Sequence, residues 1–538
     1  MTHDISPPRA ASAVLDSAHL GDIEGAFGTI RLDDQPGARL SSRVKTLLAI
    51  VGPGLIVMVG DNDAGAFGTY TQAGQNYGTR LLWTLLLLVP VLYVNQEMVL
   101  RLGAVTGVGH ARLILERFGK FWGAFSVIDL FLLNALTIVT EFIGVSLGLH
   151  YLGIPAVPGV IVAALVIVAA ASTGSFRVFE RVCLALVAGS LLLVPIVVLA
   201  HPSLGRVGHD FVVPGMPAGE LSTVMLLIIA IVGTTVAPWQ LFFQQSYVID
   251  KRITPRFISY ERVDLWIGIV VVVIGAAAMM AFSTAAFSGH AGAGGFTDAG
   301  GVAAGLGRYI GHATGALFAV ALIDASVIGA AAVALSTSYA VGDVLGLRHS
   351  LHRRPKEAKG FYAIFIGLLA VSAVIVLIPG SPLGLLTEGV QTLAGVLLPS
   401  ATVFLLLLCN DRQVLGPWVN GRGLNTFTAA VIAALVMLSI VLTASVLFPH
   451  ISSTVIVAIL VAGGVATAVV AVLLYARGSR GSRPDRALRR VWRMPPLALL
   501  ERPAMSPVRR TGLAVLRGYL VVAAALVVVR VIQLALAR

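Results

Sequence analysis

Long apolar runs constrain this chain more than any other feature, and the first of them is interrupted where interruption is most costly. Stretches such as Leu81 to Tyr93, Val182 to Ala200, Leu265 to Phe282, Phe361 to Ile378 and Val455 to Tyr475 follow one another almost end to end. Together they supply the roughly 20-residue apolar helices that a bilayer core demands. Their apolar residues are continuous rather than alternating, so the segments are helices and not barrel strands. Only 12% of the 538 residues are charged and the mean hydropathy is +0.91, against about 25% charged in a soluble protein. The chain therefore reads as an all-α, multi-pass membrane protein with about 13 segments.

The first segment contains Gly60-Asp61-Asn62-Asp63-Ala64-Gly65-Ala66 at its centre. Glycine weakens a helix interior, and Asp and Asn compete for its backbone hydrogen bonds. Two carboxylates at membrane depth need water, an ion or a partner. The sixth segment carries a matching flaw, Gly233-Thr234-Thr235-Val236-Ala237-Pro238-Trp239, where Pro238 removes a backbone donor and clashes with the preceding turn. Breaks at corresponding positions of two halves predict a LeuT-like inverted repeat of 5+5 helices, with the substrate held at the bilayer midplane. Unwound carbonyls beside a carboxylate suit a cation. The other reading of Asp63 is a capping residue at a buried helix end, and for Asp61 capping or vestibule lining competes evenly with ligation.

On this division residues 1–44 are an N-terminal tail, 45–201 and 218–410 the two five-helix repeats, and 422–476 two accessory helices. A basic segment at 477–512 and a last helix at 513–538 complete the chain. The tail is acidic and lacks an apolar core, so it is not read as a cleaved signal. The net charge of +12 does not indicate nucleic acid. Arg101, Arg112, Arg117 and Lys120 follow the second segment, and Arg177 and Arg181 the fourth. Lys251, Arg252 and Arg256 follow the sixth, and Arg348, Arg353, Arg354 and Lys356 the eighth. All fall on one side, predicting a cell-membrane protein with a cytoplasmic N-terminus. The 477–512 segment is either the positive flank of the last helix or a site for anionic membrane lipids. Cys183 and Cys409 lie in apolar helices and offer neither a disulfide framework nor a thiolate metal site. His110, His150 and His312 show no metal-ligand spacing. The sequence carries no signal for an oligomeric state.

Beyond the breaks, Gly52-Pro53-Gly54, Thr71-Gln72-Ala73-Gly74, Arg101-Leu102-Gly103 with Thr106-Gly107, and Glu141-Phe142-Ile143-Gly144 recur in a familiar order. So do Phe176-Arg177 with Glu180, Glu261-Arg262-Val263-Asp264, Leu317 to Leu322, and Gln391 with Pro399. From about residue 45 to 415 the chain resembles the Nramp superfamily of divalent metal-ion transporters. That resemblance implies alternating access and a divalent cation as cargo, with no cofactor and no enzymatic activity.

The departures from the family pattern are informative. The family's D-P-G-N becomes Asp63-Ala64-Gly65-Ala66, so the ligand Asp is kept and the ligand Asn is Ala66. In the sixth segment the family methionine, a soft ligand, is Ala237. Losing sulfur moves the site toward hard oxygen donors, and two lost side chains leave room for the waters that Mg²⁺ retains. The ligand set implied is Asp63, the carbonyls near Gly60 and Thr234, the Thr234 hydroxyl and Gln391, with Asn62 and Asp61 available to compensate for Ala66. This resembles the Nramp-related magnesium transporter branch. The family's proton-linked carboxylate and two histidines are Ile138, Trp239 and Gln244 here, while Glu141 remains. Metal entry is therefore expected to be uncoupled from protons. Asp324, in the apolar eighth segment, is expected to face the permeation path, hold a second cation, or pair with a Lys or Arg, whereas Glu388 reads as interfacial.

Three rivals stand beside this reading. Asp61-Asn62-Asp63 is formally the DxD of a polytopic glycosyltransferase, but it sits inside an apolar run with no large loop domain. An amino-acid or polyamine transporter shares the inverted repeat, yet an acidic first break disfavours a substrate carboxylate. A non-transporting sensor would keep the scaffold but is expected to carry a recognisable tail domain.

Overall fold

The computed structural model describes residues 13–34, 39–378, 390, 399–448, 451–477, 488–489, 492–501, 512–514 and 516–518. Its helices run in order as α1 (Leu40–Ile50), α2 (Pro53–Gly60), α3 (Ala64–Tyr77), α4 (Trp83–Thr106), α5 (His110–Phe118), α6 (Lys120–Tyr151) and α7 (Ala156–Ala171). Next come α8 (Phe176–Gly189), α9 (Leu193–Ala200), α10 (Leu204–Val212), α11 (Leu221–Thr235), α12 (Pro238–Asp250), α13 (Ile258–Phe287) and α14 (Ala299–Tyr309). The series ends with α15 (His312–Leu345), α16 (Lys359–Leu377), α17 (Pro399–Cys409), α18 (Arg412–Leu415), α19 (Arg422–Leu447) and α20 (Ser453–Arg477).

Among the described residues, eight helical spans are long and apolar enough to cross a membrane: α4, α6, α8 with α9, α11 with α12, α13, α15, α16 and α19. α1 and α2 pass the same test as a pair bent by 48°. Leu165 and Val166 of α7, Ile274 of α13 and Val472 of α20 keep exposed apolar side chains, as a lipid-facing surface requires. This is the all-α, multi-pass, inverted-repeat fold expected from the apolar runs. The first span breaks between α2 and α3 and the sixth between α11 and α12. Most of the expected last helix lies outside the described residues.

Close helix packing depends on small residues, as it does wherever lipid supplies no hydrophobic drive between helices. α15 lies along α6, where Gly148 faces the Ala319 carbonyl and Ile323, and α13 lies along α2, α3 and α4. A Cβ on Gly54 of α2 would stand 2.6 Å from the Leu265 amide nitrogen of α13.

The tail expected at residues 1–44 is folded where it is described. Asp16 caps a short 3₁₀ turn, Ser17–His19, and strands Ile23–Gly25 and Gly28–Ile30 pair antiparallel with Ile23 opposite Ile30. Arg252 donates to the Ala18 and Asp22 carbonyls, Arg181 to the Ala26 carbonyl and Arg177 to the Thr29 hydroxyl. Arg353 binds Asp16 through Nε and Nη2. Three of the basic loops thus meet on one face, with the N-terminal segment packed against them. Elsewhere, Arg489 donates to the Pro417 carbonyl and Arg493 to the Ala104 carbonyl, so protein groups hold both of these cations of the basic segment.

This docking has a pH signature. Burial would raise the Asp16 carboxyl, but Arg353 and the Ala18 and His349 amides hold it well below the usual range. Burial pushes the His19 imidazole below its usual 6.5. Burial also opposes charge on His349, but Asp343 and the Leu347 carbonyl outweigh it and raise the group to about 9. The His349 contribution is full below about 6.5 and lost as pH rises through 9; those of His19 and Asp16 are lost as pH falls into the acid range. We predict tightest docking near pH 6.5 to 7. Exchange protection of the Ala26 and Ile30 amides, corrected for intrinsic rate, should fall at least tenfold by pH 9.5. Equal protection at both pH values would contradict it.

Candidate functional site

The two breaks free particular backbone groups. At the first, α2 ends at Gly60, and Asp63 takes the extended N-cap conformation of α3 with Oδ1 accepting from the Ala66 amide at 2.9 Å. The Ala64 amide would close onto the Gly60 carbonyl in a continuous helix; instead it donates to Glu141 Oε2 at 3.1 Å. That leaves the Gly60 carbonyl without its helical donor. At the second break, Val236 and Ala237 leave helical geometry and Pro238 starts α12. Pro238 has no N–H to offer the Thr234 carbonyl. Two carbonyls without their helical donors are thereby built into the fold.

The side chains around them are fully or nearly fully buried: Asp61 at 0%, Asp63 at 6%, Glu141 at 0% and Thr234 at 4% exposure. Asp61 is the outlier in its bonding. Neither of its carboxylate oxygens has a hydrogen-bond partner among the described residues, although Asp63 and Gln240 stand beside it. Gln240 in turn accepts from Gln96 at 3.0 Å. Asn62 turns toward α13, donating to the Val272 carbonyl at 3.2 Å beside Gly275, while its Oδ1 stays unpartnered. Tyr70 ties the two broken spans together through the Thr235 hydroxyl at 2.7 Å.

The residues singled out from the sequence distribute as follows. Asp61, Asp63, Gly60 and Glu141 converge on the first break. Ala66 lies one turn into α3 and lends only its amide, to Asp63. Thr234 and Ala237 form the second break, and Trp239 lies over Gly60, its ring 3.8 Å from where a Cβ would be. Gln391 and Glu388 lie outside the described residues. Asp324 is half-buried against Gly189, at the 3₁₀ junction of α8 and α9, apart from this cluster. Gly329 of α15 escaped the sequence reading. A Cβ there would stand 2.8 Å from Glu141 Oε2 and 3.0 Å from Asp63 Cβ, so a bare backbone is what lets the two carboxylates share the space. Glycine in a helix gives no signal of what it faces across an interface.

Among the described residues no three His, Cys, Asp or Glu side chains form a closed metal cage. The arrangement is instead two or three buried carboxylates beside carbonyls freed from their helical donors. Such a donor set suits a hard cation that keeps part of its water shell as transported cargo.

The sequence pattern of the Nramp family (Natural resistance-associated macrophage protein-like) matches residues 54–445. The chain belongs to the Nramp family. It is similar to the divalent metal cation transporter MntH of Ralstonia nicotianae, at 30% identity over 400 residues, covering 70% of this chain and 86% of that one. MntH of Burkholderia ambifaria is 29% identical over 389 residues, covering 69% and 83%. In fold the chain resembles a manganese transporter from Eremococcus coleocola, with a TM-score of 0.63 at 20% identity, covering 83% of this chain and 99% of that one. This Nramp protein is accordingly a membrane transporter of divalent metal cations and not an enzyme.

The Glu141 bond is separable from the Glu141 charge. Glu141→Gln keeps an oxygen for the Ala64 amide, whereas Glu141→Leu leaves that buried donor unsatisfied, at a cost of about 1–3 kcal/mol. Thermal melting of purified protein should therefore place Glu141→Leu well below Glu141→Gln. Equal melting temperatures would mean that the bond contributes nothing to holding the break.

Proposed function

We propose that this Nramp-family transporter carries Mg²⁺ in partly hydrated form by alternating access, with Mn²⁺ as the competing cargo and without proton coupling. The observation that carries this reading is the donor set. The stretches 60–66 and 233–239 contain no Met, Cys or His, so no soft or imidazole donor rewards a transition metal. Asp61 and Asp63 supply negative charge, and the Gly60 and Thr234 carbonyls, the Thr234 hydroxyl and Gln391 supply neutral oxygens. Asp61, neither of whose oxygens has a hydrogen-bond partner among the described residues although Gln240 stands beside it, is the residue best placed to replace the missing Asn at Ala66. Ala66 and Ala237 leave room for retained waters. Mn²⁺ accepts the same oxygens, and a manganese transporter is among the solved structures of similar fold, so Mn²⁺ is the ion to compete against.

The uncoupled reading rests on Ile138, Trp239 and Gln244 at the positions of the family's proton-linked groups. Gln244 is fully buried with both amide atoms unpartnered among the described residues, and neither it nor Trp239 exchanges protons near neutral pH. The membrane potential then drives entry, at about 2.3 kcal/mol per charge per 100 mV. The face carrying the N-terminal segment and the basic loops is the cytoplasmic one in this reading. Residues 45–201 and 218–410 act as the two repeats that rock around the site.

In proteoliposomes, Asp63→Ala should abolish uptake of Mg²⁺ and Mn²⁺ alike, and Ala237→Met should raise affinity for Mn²⁺ or Cd²⁺ severalfold while leaving Mg²⁺ unchanged or weakened. Uptake undiminished by Asp63→Ala would sink the site. An Ala237→Met variant with wild-type preference would show that position 237 does not face the ion.

A further inference from the structure

Asp129 is a carboxylate within the membrane span α6 that the transport reading does not use. It is half-buried, and the Ser400 hydroxyl of α17 is its hydrogen-bond partner. Among the described residues no Lys, Arg or His forms an ion pair with it. A carboxylate inside a bilayer persists where something answers its charge, and a hydroxyl carries none. Beside Asp129 the outward face of α6 is apolar. Phe121, Ile128 and Leu132 are 44%, 59% and 56% exposed, and their i, i+7, i+11 spacing makes them one stripe. An acid at the edge of a lipid-exposed stripe calls for a covering helix that carries a base.

The chain supplies one. Residues 512–514 and 516–518 are helical, Leu513 and Leu516 are buried, and the Arg517 guanidinium lies over the Phe121 ring at 4.0 Å. This helical start therefore stands at the foot of the stripe. From Gly518 to Ala537 the sequence is apolar apart from Gln533 and a single charge, Arg530. As a helix, the stretch from Arg517 to Arg538 rises about 32 Å, enough to cross a bilayer core. Run alongside α6 in the same direction, Arg530 comes about 20 Å above Arg517, and Asp129 about 12 Å above Phe121. Side chains on a helix lean toward its N-terminus, so a long arginine reaches back down toward Asp129. Arg530 also follows the buried Leu516 by two heptads, which returns it to within about 40° of that side of the helix.

We propose that residues 518–537 cross the membrane along this face of α6 and bring the Arg530 guanidinium onto the Asp129 carboxylate. The pair answers both intramembrane charges at once, and the Ser400 hydroxyl adds a bond from α17. The same helix covers Phe121, Ile128 and Leu132. Asp324 is not the partner. Gly148 of α6 faces Ile323, which sets Asp324 about 40 Å above the level of Phe121, twice the height of Arg530. Because α6 also carries Glu141, the last helix braces the span on which the first break rests.

The test reads helix placement and charge pairing without ion flux. In a background carrying Cys183→Ala and Cys409→Ala, Ile128→Cys is combined with either Ala524→Cys or Val522→Cys. Membranes are then treated with dibromobimane, which fluoresces once both arms have reacted with thiols. Parallel helices in contact at Phe121 and Arg517 meet again seven residues on. The pair at 128 and 524 should therefore link within one chain at least tenfold faster than the pair at 128 and 522, which places 522 on the other side of its helix. Links between chains would assign the face to a second copy. That result, or a 524 pair no faster than the 522 pair, overturns the proposal. Pairing is read by thermal melting of purified Asp129→Asn, Arg530→Gln and the double variant. Each single variant strands one charge, so the double should melt above either. A double variant melting below both singles overturns the pair. The cross-link keeps both charges in place, so it decides the matter when a single variant does not reach the membrane.

Discussion

Everything in this protein is arranged around the cost of holding carboxylates at membrane depth. An isolated charge there is so unfavourable that a carboxylate persists only where backbone, water or a cation answers it. Asp63 is answered on one side by the Ala66 amide, and Glu141 by the Ala64 amide. Asp61 is answered by no hydrogen bond among the described residues. An unanswered buried carboxylate next to a second one is an unstable arrangement by itself and a favourable one once a divalent cation enters. The breaks in the first and sixth spans are the structural counterpart: a continuous helix would have taken up the Gly60 and Thr234 carbonyls that the proposed ion site uses.

The same logic operates at the other end of α2. There the break is saturated by protein charges, Lys251 and Asp264, rather than left open for cargo. One short helix thus separates an unsatisfied break from a satisfied one. In the proposed function the unsatisfied break receives the ion, while the satisfied break is closed by protein groups.

Much of this was legible in the sequence. The apolar runs and their continuity led to an all-α membrane fold, and Gly60 to Ala66 and Gly233 to Trp239 marked the breaks because Gly, Asp and Pro act locally on helix geometry. The basic loops indicated a common face, and three of them meet the N-terminal segment there. What was not legible depends on contacts between distant segments. Gly329 matters because of what it faces on α6 and α3, and nothing in its own neighbourhood says so. The acidic N-terminal stretch reads as a tail since its strands are three residues each and its anchors, Arg353, Arg252 and Glu180, are far away in sequence. Asn62, read as a stand-in ligand, points its amide at Val272 for the same reason.

The most direct test of the central claim, a hard-oxygen site moving a divalent ion with nothing coupled to it, is the charge carried per ion. Simultaneous measurement of Mg²⁺ influx and current in voltage-clamped proteoliposomes should give two charges per ion and an unchanged lumenal pH. Three charges per ion, with acidification in step with entry, would contradict the account.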